Sequence, residues 1–214
     1  MEYHVIEVPL VPRHSAMTIR EAKAYFNWFR QIKEERIQYL RTKCAEALNC
    51  SVEELDFSRE SLVLIWRFFL SIATIEDMPP DEPIEAFMSP RLIKQGITPE
   101  SLFGRPEKRL THFTEMLLID VGMYYGETLV RNHPCLKWEL HRGKDVNFNR
   151  PVISGFVDLY NPKYHPRVNP LSCGRGAAMV LLTKVPRADV EDALVQGYDY
   201  NSMDVPADAR GDSV

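Results

Sequence analysis

The chain has 214 residues, of which 45% are hydrophobic and 26% charged, and a formal net charge of −4 at pH 7. It is long enough for one domain with a sizeable core, and too acidic overall to leave the electrostatic footprint of a nucleic-acid or anionic-membrane binder. Its apolar runs break off well short of the roughly 18–20 residues needed to span a bilayer, and the first residues lack the basic and apolar regions of a signal peptide.

In chain order, residues 3–11 alternate loosely between apolar and polar and end at prolines, which predicts an edge strand or an extended arm. Thr18 and Glu21 have the spacing of a capping box. Behind them Ala22, Phe26, Phe29, Lys33, Ile37, Leu40 and Cys44 mark one side of a helix running to about residue 48. The run KEER at 33–36 reads as a solvated face of that helix. After a break at Asn49 and Cys50, Ser58 is placed to cap a second helix. Leu62, Ile65, Trp66, Phe69, Ile72 and Ala73 lie along its apolar side, with Trp66 in the core.

Residues 78–106 are rich in proline and predict an irregular excursion with a short helical piece starting at Thr98 and Pro99. A long apolar helix is expected from about 106 to 132, closed by His133 and Pro134. Leu136, Trp138 and Leu140 alternate with Lys137, Glu139 and His141, and a second β run begins at Pro151, so a hairpin is expected. Asn169 caps and Pro170 opens a helix to about 183, and residues 188–198 form a last one. The polar stretch 199–214 is expected to be a disordered tail. The pattern predicts one α+β domain over residues 1–198, with helices on a small antiparallel sheet from 136–160 that the N-terminal strand can join.

The long helix holds the main candidates for chemistry. At 100° per residue Asp120, Tyr124, Glu127 and Arg131 fall on one stripe, with Glu127 and Arg131 spaced for an i,i+4 ion pair. Two carboxylates on one face suit general acid and base work or metal binding. Their two-turn separation is about 10.5 Å of rise, too far for one small metal ion, and no Glu-x-x-His occurs on any predicted helix, only His112 and Glu115 in reverse order. The stripe is therefore expected to hold the central helix to the sheet. Gly122 and Gly126 form a small-xxx-small face that admits a close neighbour.

Other signals are weaker. The segment SCGRGAA at 172–178 lacks the lysine and spacing of a phosphate loop, and Cys173 has no local nucleophile motif. Cys44, Cys50, Cys135 and Cys173 show no CxxC pair or zinc spacing, which predicts reduced thiols and a cytoplasmic protein. The six histidines at 4, 14, 112, 133, 141 and 165 are scattered, and the Arg210-Gly211-Asp212 tripeptide is short enough to arise by chance. No catalytic residue, metal site or cofactor is assigned.

Several segments taken together, VIEVPLVPRHSAMTIREAKAYFNWFRQIKEERIQYL, LDFSRESLVLIWRFFL, DVGMYYGETLVRNHPCLKW and NFNRPVISGF, carry a resemblance. The chain resembles a family of small uncharacterised bacterial proteins with the pattern EA..YF.WF, D.S.ESL..LW.WF, D.G.Y.GE...RN.P...W and N.PV..GF. Asp120, Gly122, Tyr124, Gly126, Glu127, Arg131 and Trp138 stand at its motif positions. The resemblance covers most of the chain and is weakest over the proline-rich excursion and after residue 159. It implies the fold and, by analogy with proteins encoded beside toxins, an immunity-type role. The leading expectation is thus a non-enzymatic protein-binding module with a protein partner. The alternatives are a hydrolase or other enzyme using Asp120 and Glu127 with His112, His133 or His141, and a small-molecule binder with a pocket between helix and sheet.

Overall fold

Thr18 opens helix α1 (Ile19–Leu48) with both halves of the capping box formed. Its hydroxyl accepts from the Glu21 amide at 3.3 Å, and the Glu21 carboxylate accepts from the Thr18 amide at 2.7 Å. Asn49, in the left-handed region at φ 53°, ends the helix. The buried line is the expected one except that Tyr25 takes the inward position and Phe26 is half-buried. Helix α2 (Ser61–Ile72) starts three residues after Ser58, whose hydroxyl accepts the Ser61 amide. It buries Leu62, Ile65, Trp66, Phe68 and Phe69, and the Trp66 indole N–H donates to the Val190 carbonyl at 2.7 Å.

These elements belong to a computed structural model that describes residues 2–9, 14–79, 81, 94–98, 101, 106–158, 161, 163–182 and 190–206. Strands β1 (Ile75–Asp77) and β2 (Lys108–Leu110) pair antiparallel, Ile75 opposite Leu110, and bring together the two ends of the proline-rich excursion. Most of that excursion, including the helix start expected at Thr98 and Pro99, lies outside the described residues. The long helix α3 (His112–Asn132) begins later than the expected 106, because 108–110 are taken by β2 and Thr111 then caps. Strands β3 (Lys137–Leu140) and β4 (Pro151–Ser154) form the expected hairpin, extended by a bridge between Ile153 and Val168. Asn169 and Pro170 start helix α4 (Pro170–Ala178), followed by a 3-10 turn at Met179–Leu182, and helix α5 (Ala193–Met203) comes last.

The fold class is α+β, with five α-helices among the described residues and two separate two-stranded ladders in place of one sheet. None of the described helices is long and apolar enough to cross a membrane. Over its described residues, 2–9, the N-terminal segment is the extended arm, not a strand. Its backbone groups at His4 are taken by side chains of α1: the amide donates to the Tyr39 hydroxyl and the carbonyl accepts from Arg36, each at 2.9 Å. The tail expected from 199 is corrected as well. Helix α5 continues to Met203, and Val205 is fully buried, while residues 207–214 lie outside the described set.

Helix α3 is the centre of the molecule and touches all four other helices. Every residue from Asp120 to Leu129 is buried. Its two glycines allow this density. A Cβ on Gly122 would lie 2.9 Å from Leu171 Cα, and one on Gly126 would overlap the Trp138 ring and sit 2.9 Å from Pro170 Cγ. The first turn of α4 and the indole of β3 therefore rest directly on the α3 backbone.

Gly122→Ala is expected to destabilise the fold by about 1–3 kcal/mol, overpacking outweighing the gain in helix propensity. Gly176→Ala, where nothing lies within 4 Å of the added methyl group, should instead stabilise by up to about 1 kcal/mol. Urea unfolding midpoints of the two variants check the opposite signs.

Candidate functional site

The stripe on α3 is saturated with partners. Asp120 has a fully buried side chain, and Arg36 grips it as a fork, Nε to Oδ1 at 3.0 Å and an Nη to Oδ2 at 2.6 Å. The Tyr3 hydroxyl donates to the same carboxylate at 2.9 Å. Burial pushes the Asp120 carboxyl above the ordinary carboxylate range, against the opposing pull of Arg36 and Tyr3. Two turns on, Glu127 is held by Lys33 and by Arg131, whose Nε lies 3.0 Å away. Burial also pushes Glu127 up, but these two cations outweigh it and hold the carboxyl below its usual value.

Between the two carboxylates, the Tyr124 hydroxyl accepts the Phe57 amide at 3.1 Å and meets the Ser61 hydroxyl at 2.7 Å, which fixes the entry to α2. Arg131 lies 3.8 Å over the Phe57 ring. Trp138 fills the notch at Gly126 and packs on Phe29, ring centroids 5.0 Å apart.

Two expectations are thereby corrected. The KEER run is not merely a solvated face, because Lys33 and Arg36 are the cations that neutralise Glu127 and Asp120. The stripe ties α3 to α1 and α2 instead of to the sheet, which contributes Trp138 alone. The histidines named for an enzyme do not join it. His133 Nε2 lies 3.2 Å from the Ser202 hydroxyl on α5, His141 Nε2 lies 2.8 Å from Asp145, and His112 is exposed. Burial pushes the Cys44 thiol up to about 12 and the Cys173 thiol to about 11, which suppresses the reactive thiolate. Among the described residues no cluster of His, Cys, Asp or Glu is placed to hold a metal ion.

A different place has free donors. A cavity of about 280 Å³ lies between the N-terminal arm, α1, α3 and α4. Val8, Met116, Leu118, Ile119 and Leu171 form its apolar wall, and His14, Tyr25, Arg150, Ser172 and the Glu115–Arg175 pair supply polarity. Asn149 assembles one side of it. Its side-chain amide donates to the carbonyls of His14 (2.8 Å) and Met17 (3.1 Å), which brings the turn at His14–Ala16 beside Arg150. His14 Nδ1 lies 3.1 Å from the Asn149 carbonyl, and its ring meets Tyr25 edge-on. Burial and the neighbouring Arg150 hold His14 below its ordinary value, so it is neutral at pH 7. Burial pushes the Tyr25 phenol up, against Arg150, so it keeps its proton. The Arg150 side chain makes no hydrogen bond or ion pair with the described residues.

Sequence reasoning missed this cavity. Its polar residues come from positions 14, 25, 115, 150, 172 and 175, with no motif spacing among them. The one local signal was SCGRGAA, where Ser172 and Arg175 stand, and it fails as a phosphate loop because its lysine is missing. Compared with protein-family models, curated proteins and solved structures, the chain matches none.

Asp120→Ala is expected to cost about 3–5 kcal/mol, since it removes the acceptor of both Arg36 and the Tyr3 hydroxyl and strands the Arg36 charge in a half-buried position. Glu127 has a lowered native value, so its stabilisation is present above its ordinary value of 4.5 and fades as pH falls through the lower native one. Asp120, with a raised value, contributes with the opposite sign. Glu127→Gln should therefore be less stable than wild type at neutral pH and show a shallower acid limb, read as thermal midpoints from about pH 6 down to about pH 3.

Proposed function

We propose that the protein is a non-catalytic binding protein whose ligand occupies the cavity between the N-terminal arm, α3 and α4. The observation that carries this reading is Arg150, a half-buried residue whose guanidinium has no acid partner among the described residues and which lines the cavity together with its apolar wall. A guanidinium with no partner among the described residues is free to take an acceptor from a ligand, and a concave apolar site with a few convergent polar groups is the general form of a small-molecule pocket. The carboxylates that an enzyme would use are both engaged in ion pairs, which favours binding over catalysis. The four free thiols suit a reducing, cytoplasmic setting.

A second reading, a protein-binding module of immunity type, draws on α5, where Tyr200 and Met203 stand one turn apart at 69% and 57% exposed.

A screen of small anionic, neutral and cationic fragments by protein-observed NMR tests the first reading. Amides of His14, Ile119, Leu171 and Ser172 should shift with at least one class. Ser172→Trp, which fills the mouth from an exposed position, should abolish the shifts while the melting temperature stays unchanged. Silence at these amides across all classes overturns the cavity reading. Fragment binding that survives while Tyr200→Ala with Met203→Ala releases a co-purifying protein would favour the second.

A further inference from the structure

The chemistry of the cavity narrows its ligand, on the assumption that the cavity is a binding site at all. Three polar groups lining it make no hydrogen bond with the described residues: the Arg150 guanidinium, the Tyr25 hydroxyl and His14 Nε2. The first two are donors at neutral pH. The other full charges at the rim, Glu115 and Arg175, lie 3.0 Å apart and cancel. Among the described residues the uncompensated charge of the cavity is therefore that of Arg150, a single positive one.

Its size sets a second limit. About 280 Å³ is just below the roughly 300–1,000 Å³ typical of small-molecule sites, which suits a small ligand. A third limit is the wall. Met116, Ile119 and Leu171 come from two helices and offer carbon to the part of the ligand away from Arg150.

We infer that the cavity binds a small monocarboxylate with an apolar body, its carboxylate on Arg150 and Tyr25 and its body against Met116, Ile119 and Leu171. The planar guanidinium fork matches a carboxylate with two parallel hydrogen bonds, and one positive charge balances one negative. His14 Nε2 remains as a further donor or acceptor for a substituent on the ligand.

The test compares phenylacetate, phenylacetamide and benzylphosphonate by NMR titration of the full chain. The acid and the amide share shape and differ in charge, and the phosphonate offers the other common anion. Phenylacetate should bind at least about tenfold more tightly than the amide, the scale of a charge-assisted hydrogen bond. Arg150→Gln should remove that preference without lowering the melting temperature, because Arg150 has no hydrogen-bond or ion-pair partner among the described residues to lose, and Arg150→Lys should restore part of it. Equal affinity for acid and amide, or no effect of Arg150→Gln, overturns the carboxylate assignment and leaves a cavity for neutral ligands. Tighter binding of the phosphonate also overturns it, in favour of a phosphate-type anion. If none of the three binds while other fragments shift the cavity amides, the assignment falls and the cavity reading survives. Silence from every fragment sinks both.

Discussion

The ion pair between Asp120 and Arg36 is the constraint on which the remaining structure depends. Helix α3 is buried over Asp120–Leu129 and apolar on nearly every side, so hydrophobic contact alone gives it little reason to prefer one rotation over another. The fork from Arg36 to Asp120, and the contact from Lys33 to Glu127, remove that freedom. Lys33 precedes Arg36 on α1, whereas Glu127 follows Asp120 on α3, so the two pairs together set an antiparallel sense and a register. Replacing buried ion pairs by packed carbon is often neutral or stabilising, whereas removing one partner is costly. We read these pairs as devices that orient the helices more than as a source of net stability.

What the pairs orient extends to the cavity. The Asp120 carboxylate that holds Arg36 also accepts the Tyr3 hydroxyl, and Arg36 in turn takes the His4 carbonyl. The N-terminal arm is thereby laid along α1 and α3, and a few residues later it supplies Val8 to the cavity wall. On the opposite face of the same helix Gly122 lets Leu171 come within contact of the backbone. That approach seats α4 low enough for Ser172 and Arg175 to reach the rim. A helix turned by one residue would misplace both sides together.

How much of this was legible in the sequence follows the range of each interaction. The capping box of Thr18 and Glu21, the Asn169–Pro170 start and the β3–β4 hairpin rest on contacts within a few residues, and they stand where the sequence put them. The start of α3 was misplaced because β2 exists only through its pairing with β1, some thirty residues earlier. The end of α5 was missed for a similar reason. Ser202 is held by His133, and the Asp204 carbonyl by the Val157 amide, partners that composition does not reveal. Helical periodicity placed Asp120, Tyr124, Glu127 and Arg131 on one line correctly, yet it says which residues share a face and not what faces them. Lys33 and Arg36 were in view all along as part of a charged run.

The same residue types therefore have opposite fates in two places. On the stripe, two carboxylates meet three cations and a phenol, and every charge is answered within the chain, so little is left over to act on anything else. In the cavity, an arginine, a phenol and an imidazole nitrogen stand together unanswered among the described residues, beside an ion pair that cancels itself. A fold can tolerate a donor without a partner where solvent or a ligand supplies one. The acidic pair that draws the eye in the sequence is thus the part of the molecule with least chemical capacity left. The donors left unpaired among the described residues belong to residues that no spacing pattern connects.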